Sequence, residues 1–231
     1  MKTPIDTVKG TIYKYNPETG EILIRARYDD VATMLKRGYR ECLVQMIDAR
    51  PLSDKQRKAC YALLSEIADF SGMGKDAAKE YMKLKFLAED LQETADHIFS
   101  LSDGAMSLVC AFQNFLVKFI LDWDIPTRRP LLELVDDISS YLYACLANKK
   151  CCVCGARADL HHVVPIGMGA DRTQMIHEGL EVMPLCRLHH TEMHQMTRDK
   201  FLEAYHLDHG IPADKTICKI YGLKMDKDSI D

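Results

Sequence analysis

Cys151-Cys-Val-Cys154, Asp159-Leu-His-His162 and Cys186-Arg-Leu-His-His190, followed by His194, decide how this chain is read. Eight of its nine histidines lie after residue 160, beside this cysteine cluster. Neutral imidazole and thiolate are the common ligands of zinc and related ions. The residues separate into two interleaved sets. Cys151 and Cys154 have the two-residue gap of a zinc knuckle, and Cys186 and His189 repeat it. Together they form a Cys₃His set, which closes a tetrahedral site. Cys152 could stand in for Cys151, although the wider gap suits a knuckle turn better. The competing reading is a group of reduced core cysteines, and the doubled spacing speaks against it. A structural Zn²⁺ held here would supply folding energy to a segment with little core of its own.

The second set builds an open site. Asp159–His162 and Gly179–Pro184 read as short strands, joined through Pro165 and the glycine-rich Gly167-Met-Gly-Ala170, and a helix follows from Cys186. On that helix His190 and His194 are four apart and share a face. With His161 from the first strand, three imidazoles converge on one divalent ion, Mg²⁺, Mn²⁺, Ni²⁺ or Zn²⁺. Three imidazoles suit a transition metal better than Mg²⁺. Three protein ligands leave positions for water and phosphate. Neighbouring strand residues face opposite sides, so His162 stands off the ion. Its reference pKa of about 6.5 suits it to take a proton from water near neutral pH. The alternatives are a second structural zinc or unengaged surface histidines. His177 and Glu178 could lie just outside the ligands, but a surface loop is the favoured reading for both.

These motifs resemble the HNH, or ββα-metal, nuclease family. The resemblance rests on Cys151-Cys-Val-Cys154, Leu160-His-His-Val-Val-Pro165, Glu181-Val-Met-Pro-Leu-Cys-Arg-Leu-His-His190 and His194. It implies that His161 binds metal, that His162 is the general base, and that His190 and His194 complete the ligand set. It also implies a zinc ribbon, with His189 at the position that is often cysteine. The family's central Asn, nine residues before the helix histidine, falls on Glu181, and no Asn occurs after Asn148. Carboxylate can accept the bracing hydrogen bonds but cannot donate as an amide does. Glu181 is therefore carried as a candidate for the site, toward the base or the ion.

Working outward, the 231-residue chain has room for one large domain or two modest ones. Its apolar fraction of 47% allows a core in each half, and the net charge of −4 confines any nucleic-acid contact to local patches. The first residues lack the apolar run of a signal peptide. No window approaches the ~18 apolar residues of a membrane span. A cytoplasmic chain with reduced thiols is expected, in the host cytoplasm if phage-encoded. Residues 7–15 and 21–27 read as strands around a turn, 41–48 as a third strand, and 54–69, 75–87, 103–122 and 131–147 as helices. The domain boundary is expected near residue 148, giving residues 1–148 and 149–231.

Chemistry is silent in the first part. Lys75, Lys79 and Lys83 recur every four residues and could follow a nucleic-acid backbone, although a solvated helix face is the blander reading. Arg50, Lys55, Arg57 and Lys58 form a second basic group, and Arg128-Arg129 a third beside Trp123, which reads as core. The segment Gln45–Gly72, centred on Met46-Ile-Asp-Ala-Arg-Pro-Leu-Ser-Asp-Lys-Gln-Arg-Lys58, is similar to phage recombination mediators of the lambda Orf (NinB) type. That similarity implies single-stranded DNA binding, a homodimer and contact with single-strand-binding protein. The expected protein is α+β: a mixed DNA-binding or dimerisation domain, then a small zinc-containing ββα-metal domain. The expected activity is a DNA endonuclease acting on single-stranded or branched DNA in phage recombination or replication, with no membrane partner. The rivals are a non-cleaving mediator with a structural zinc domain, and a nuclease whose first domain binds only a protein.

Overall fold

The computed structural model describes residues 10–38, 44, 50, 52–89, 99–102, 105–163 and 175–225. The chain forms two units, Met1–Met46 and Ile47–Asp231.

In the first unit, β1 (Gly10–Tyr15) and β2 (Ile22–Ala26) pair antiparallel, and α1 (Val31–Arg37) follows. The hairpin turns where Asn16 accepts the Gly20 N–H at 2.9 Å and Gly20 takes a φ of 73°, which glycine enters without Cβ strain. Asp30 caps α1 by accepting the Thr33 N–H. Sequence patterning did not single out that helix. The third strand expected at 41–48 and the start of the first at residue 7 lie outside the described residues.

The second unit begins with α2 (Asp54–Ser71), α3 (Lys75–Glu89) and α4 (Met106–Asp122). Ser53 and Gln56 close a reciprocal capping box at the start of α2, and Gly72 ends it in the left-handed region. Ala59, Cys60, Leu63, Leu64 and Ile67 bury one face of α2 at helical spacing. The rings of Phe86, Phe99, Phe112 and Phe115 fill the centre, with centroids 5.1–6.4 Å apart.

The helix expected at 131–147 is divided. Leu131–Leu134 is a 3₁₀ turn, Val135 is extended, and α5 (Ile138–Ala147) starts afresh. Two polar contacts explain the break. Gln113 Nε2 donates to the Leu134 carbonyl, and Asp137 accepts the Ser140 N–H at 3.0 Å as the new cap. Trp123 is 63% exposed, contrary to the core position read from its sequence. It stacks at an angle on Phe119 at the end of α4.

After α5 come β3 (Asp159–His162), β4 (Glu181–Leu185), α6 (Arg187–Gln195), α7 (Arg198–Ala204), β5 (Ile211–Pro212) and α8 (Lys215–Tyr221). The strands form an antiparallel sheet in the order β3-β4-β5. Buried apolar residues form one cluster from Cys60 to Cys218, on both sides of residue 148. Tyr141 on α5 ties the parts together by donating to the Cys152 carbonyl at 2.8 Å. The architecture is α+β. Among the described residues no helix is long and apolar enough to cross a membrane.

Candidate metal centres and active site

Each metal-ligand type sits on an element whose local chemistry aims it. The knuckle turns because Gly155, at φ 73°, donates to the Cys151 carbonyl at 2.8 Å, while Cys151 N–H donates to Ala156 at 2.7 Å. Cys152 N–H donates to Pro184, which pins the knuckle to β4. Cys186 ends that strand region as the N-cap of α6, so Cys186 and His189 share the first helical turn.

Cys151, Cys154, Cys186 and His189 place one ligand atom each within 4.8 Å of one another. The Cys154 and Cys186 sulfurs are 3.7 Å apart, and His189 Nδ1 lies 3.2 Å from Cys186 and 3.5 Å from Cys151. With Zn–S near 2.3 Å, a tetrahedron sets sulfurs about 3.8 Å apart, so the donor set fits zinc. Burial raises the Cys186 thiol, but hydrogen bonds from the His189 backbone and ring, then Cys154 and Cys151, outweigh it and bring it down to about 7. A thiol that ionises easily is a ready ligand. Burial instead pushes Cys151 up to about 12. Cys152 is fully buried and lies outside the cluster, which favours Cys151 of the two. Behind His189, Tyr205 packs edge-on at 5.4 Å and donates its hydroxyl to Glu192 at 2.8 Å.

The second cluster gathers His161, His190 and His194. The Nε2 atoms of His190 and His194 are 3.2 Å apart, and the His161 ring is 4.6 Å from His190 and 5.3 Å from His194. Nitrogens around one tetrahedral ion would lie about 3.3 Å apart, so this set also fits a metal. Burial, then the neighbouring imidazoles, lowers His161 to about 4. His190 is lowered by burial and by His194. Both rings are thus held neutral at pH 7, the form that ligates. His194 is exposed and His161 buried, which leaves the cluster open on one side.

His162 faces away from that cluster, as strand alternation requires. Its Nε2 is 2.9 Å from Nδ1 of His177. His177 is only 5% exposed, so the surface-loop reading of that residue is corrected. Glu178 is half-buried, with Oε2 buried and without a hydrogen-bond partner. Glu181 goes elsewhere. Its carboxylate accepts the Gly210 N–H at 2.7 Å and meets Arg198 at 3.4 Å. It braces β4 against the strand that follows Gly210, and among the described residues its side chain makes no hydrogen bond to the His cluster or to His162. A side chain at Gly210 would meet Val163 at 2.6 Å and the Val182 carbonyl at 2.9 Å, so glycine permits this close approach.

The lysine stripe does not form an open cationic line. Lys83 is buried, 3.5 Å from Glu80 and over the Phe99 ring, and Lys79 is held by Asp76 at 3.0 Å. Helical spacing placed the three on one side of α3, but that side turns partly into the core, with Met82 and Phe86. In the other basic groups Arg57 pairs with Asp54, Lys55 with Asp136 and Arg128 with Asp69.

Two antiparallel strands running into a helix, with imidazoles gathered where they meet, define the ββα-metal class. A family model described as "Putative HNHc nuclease" matches residues 29–225. The chain belongs to this HNH nuclease family. No curated protein and no solved structure matches the chain.

Proposed function

We propose that the protein is a metal-dependent DNA endonuclease that hydrolyses phosphodiester bonds at the junction of β3 and α6. One observation carries the reading. His161 turns toward His190 and His194, while its neighbour His162 turns the other way, toward His177. His161, His190 and His194 would hold a divalent ion, one of Mg²⁺, Mn²⁺, Ni²⁺ or Zn²⁺. When bound, that ion would supply positive charge to offset the charge that develops on the phosphate and the leaving 3′-oxygen.

The protein's own part is proton chemistry and position. His162 takes a proton from water as the water oxygen forms its bond to phosphorus. The bond from phosphorus to the 3′-oxygen breaks, and the 3′-oxygen is protonated from solvent. Cys151, Cys154, Cys186 and His189 would hold a structural zinc that fixes the start of α6 and so the direction of His190 and His194. Glu181 acts as a brace of the sheet, through Gly210 and Arg198. The Orf-like similarity around residues 45–72 supports a role in phage DNA recombination or replication. Residues 1–148 would then contact single-stranded or branched DNA, a second copy of the chain or single-strand-binding protein, and residues 149–231 would cut.

Nicking of supercoiled plasmid tests the activity. Cleavage is expected with at least one of the four ions, none with EDTA, and a rate about 10²–10⁴-fold lower from His162→Ala. A wild-type protein inert with every ion would leave the non-cleaving, zinc-stabilised DNA-binding mediator in its place.

A further inference from the structure

Behind His162 stands a second imidazole that is held unusually well for a residue between strands. His177 N–H donates to the Lys224 carbonyl at 2.9 Å, and its own carbonyl accepts the Leu180 N–H at 3.1 Å. Gly179, at φ 81°, donates to the Ala213 carbonyl at 2.8 Å, and Ala213 N–H donates back to Leu180 at 2.9 Å. The turn that carries His177 is thus tied to two parts of the C-terminal segment. The ring is buried, and its Nδ1 meets His162 Nε2 at 2.9 Å, with ring planes 45° apart.

A hydrogen bond between two neutral imidazoles uses one N–H and one lone pair, so it selects tautomers. Two arrangements satisfy the distance. If His177 donates, His162 carries its hydrogen on Nδ1 and its only lone pair is spent on His177. That ring cannot take a proton from water. If His162 donates from Nε2, its lone pair sits on Nδ1, and the ring remains a base.

We propose that His177 is a positioning residue for His162: its Nδ1 accepts the His162 Nε2–H, which keeps the basic lone pair on Nδ1 and holds the ring's direction. The proposal rests on the reading of His162 as general base. In the step, a water O–H bond breaks and its proton goes to His162 Nδ1. The resulting imidazolium keeps its Nε2–H bond to His177. A donor that has become charged makes a stronger hydrogen bond to the same acceptor, so the contact favours the product of proton transfer more than the starting ring. A buried carboxylate does this work in hydrolase triads. Here an imidazole nitrogen accepts in the carboxylate's place.

The test compares wild type, His162→Ala, His177→Phe and His177→Gln. Phe keeps the ring's bulk and removes the acceptor, whereas Gln supplies a carbonyl oxygen that can accept from Nε2–H. His177→Phe is expected to lower kcat for plasmid nicking by at least about 10-fold, the lower end of the loss seen when the partner behind a metal-ligating histidine is removed. KM should stay put, because the bond matters in the transition state. His177→Gln should recover most of the loss. Long-range ¹H–¹⁵N spectra of the wild-type protein should show His162 as the Nε2–H tautomer, whether or not His177→Phe folds well. A wild-type His162 in the Nδ1–H form overturns the proposal. So does a His177→Phe that nicks like wild type while His162→Ala is dead, or a Gln variant no better than Phe. A wild type that nicks nothing, or a His162→Ala that nicks normally, overturns the nuclease reading on which this role stands.

Discussion

The two ligand clusters share one helix and differ in nearly everything else. His189 serves the first and His190 the second. Consecutive helical residues point about 100° apart, so one turn of α6 can face two sites. The first cluster is a Cys₃His set with His189 buried, near the apolar core and braced by Tyr205. The second is all imidazole, with His194 exposed. The comparison teaches that four ligands which complete a tetrahedron serve the fold, whereas three that stop short leave room for chemistry. Deprotonation, which both ligand types need, is also achieved differently. Hydrogen bonds let Cys186 ionise near pH 7, and burial keeps His161 unprotonated down to about pH 4.

The sharpest way to break this comparison is to damage the closed site. Cys154→Ala/Cys186→Ala should lose its zinc and destabilise the second unit by several kcal/mol, since ligand binding there is coupled to folding. Metal analysis with thermal melting checks it. Full zinc and an unchanged melt would mean that the cluster is only a group of core thiols.

Damage to the open site should leave the fold alone. His162→Ala should cut the nicking rate about 10²–10⁴-fold, with ion affinity by calorimetry close to wild type. His161→Ala and His190→Ala should do the reverse in emphasis, weakening ion affinity by at least about 10-fold while the tightly held zinc stays. If His162→Ala lost the ion and His161→Ala kept it, the two faces of β3 would have exchanged roles.

The mildest effect belongs to the brace. Glu181→Ala leaves the Gly210 N–H without its acceptor, which should cost about 1–3 kcal/mol, and Glu181→Gln should cost less because its carbonyl can still accept. Ion affinity should not change in either variant. A large loss of ion binding by Glu181→Gln would show that the carboxylate acts at the metal after all.

The legible parts were those with a strong local signature. Cysteine and histidine spacing located both clusters, and strand alternation separated His161 from His162. The glycine and proline punctuation located the first hairpin and the end of α2. What escaped was decided by tertiary contacts. Helical spacing put Lys75, Lys79 and Lys83 on one side of α3, but only packing turns Lys83 toward Phe99. A run of leucines read as one helix, and Gln113 and Asp137 divide it. His177 gave no periodic signal, because its partner is 15 residues away in the sequence. The short α7, β5 and α8 offered too few residues for a pattern. The residues beside them hold the His177 turn, with Lys224 after α8 accepting from His177 and Ala213 between β5 and α8 pairing with Gly179 and Leu180.

The division between a closed and an open site is tested most directly by chelation followed by metal add-back on one wild-type sample. After mild EDTA treatment and its removal, one zinc per chain should remain and plasmid nicking should be lost. Adding Mn²⁺, Ni²⁺, Mg²⁺ or Zn²⁺ should then restore nicking without refolding the protein. Nicking that persists in the stripped sample, or activity that disappears only when the tightly held zinc leaves, would contradict the division.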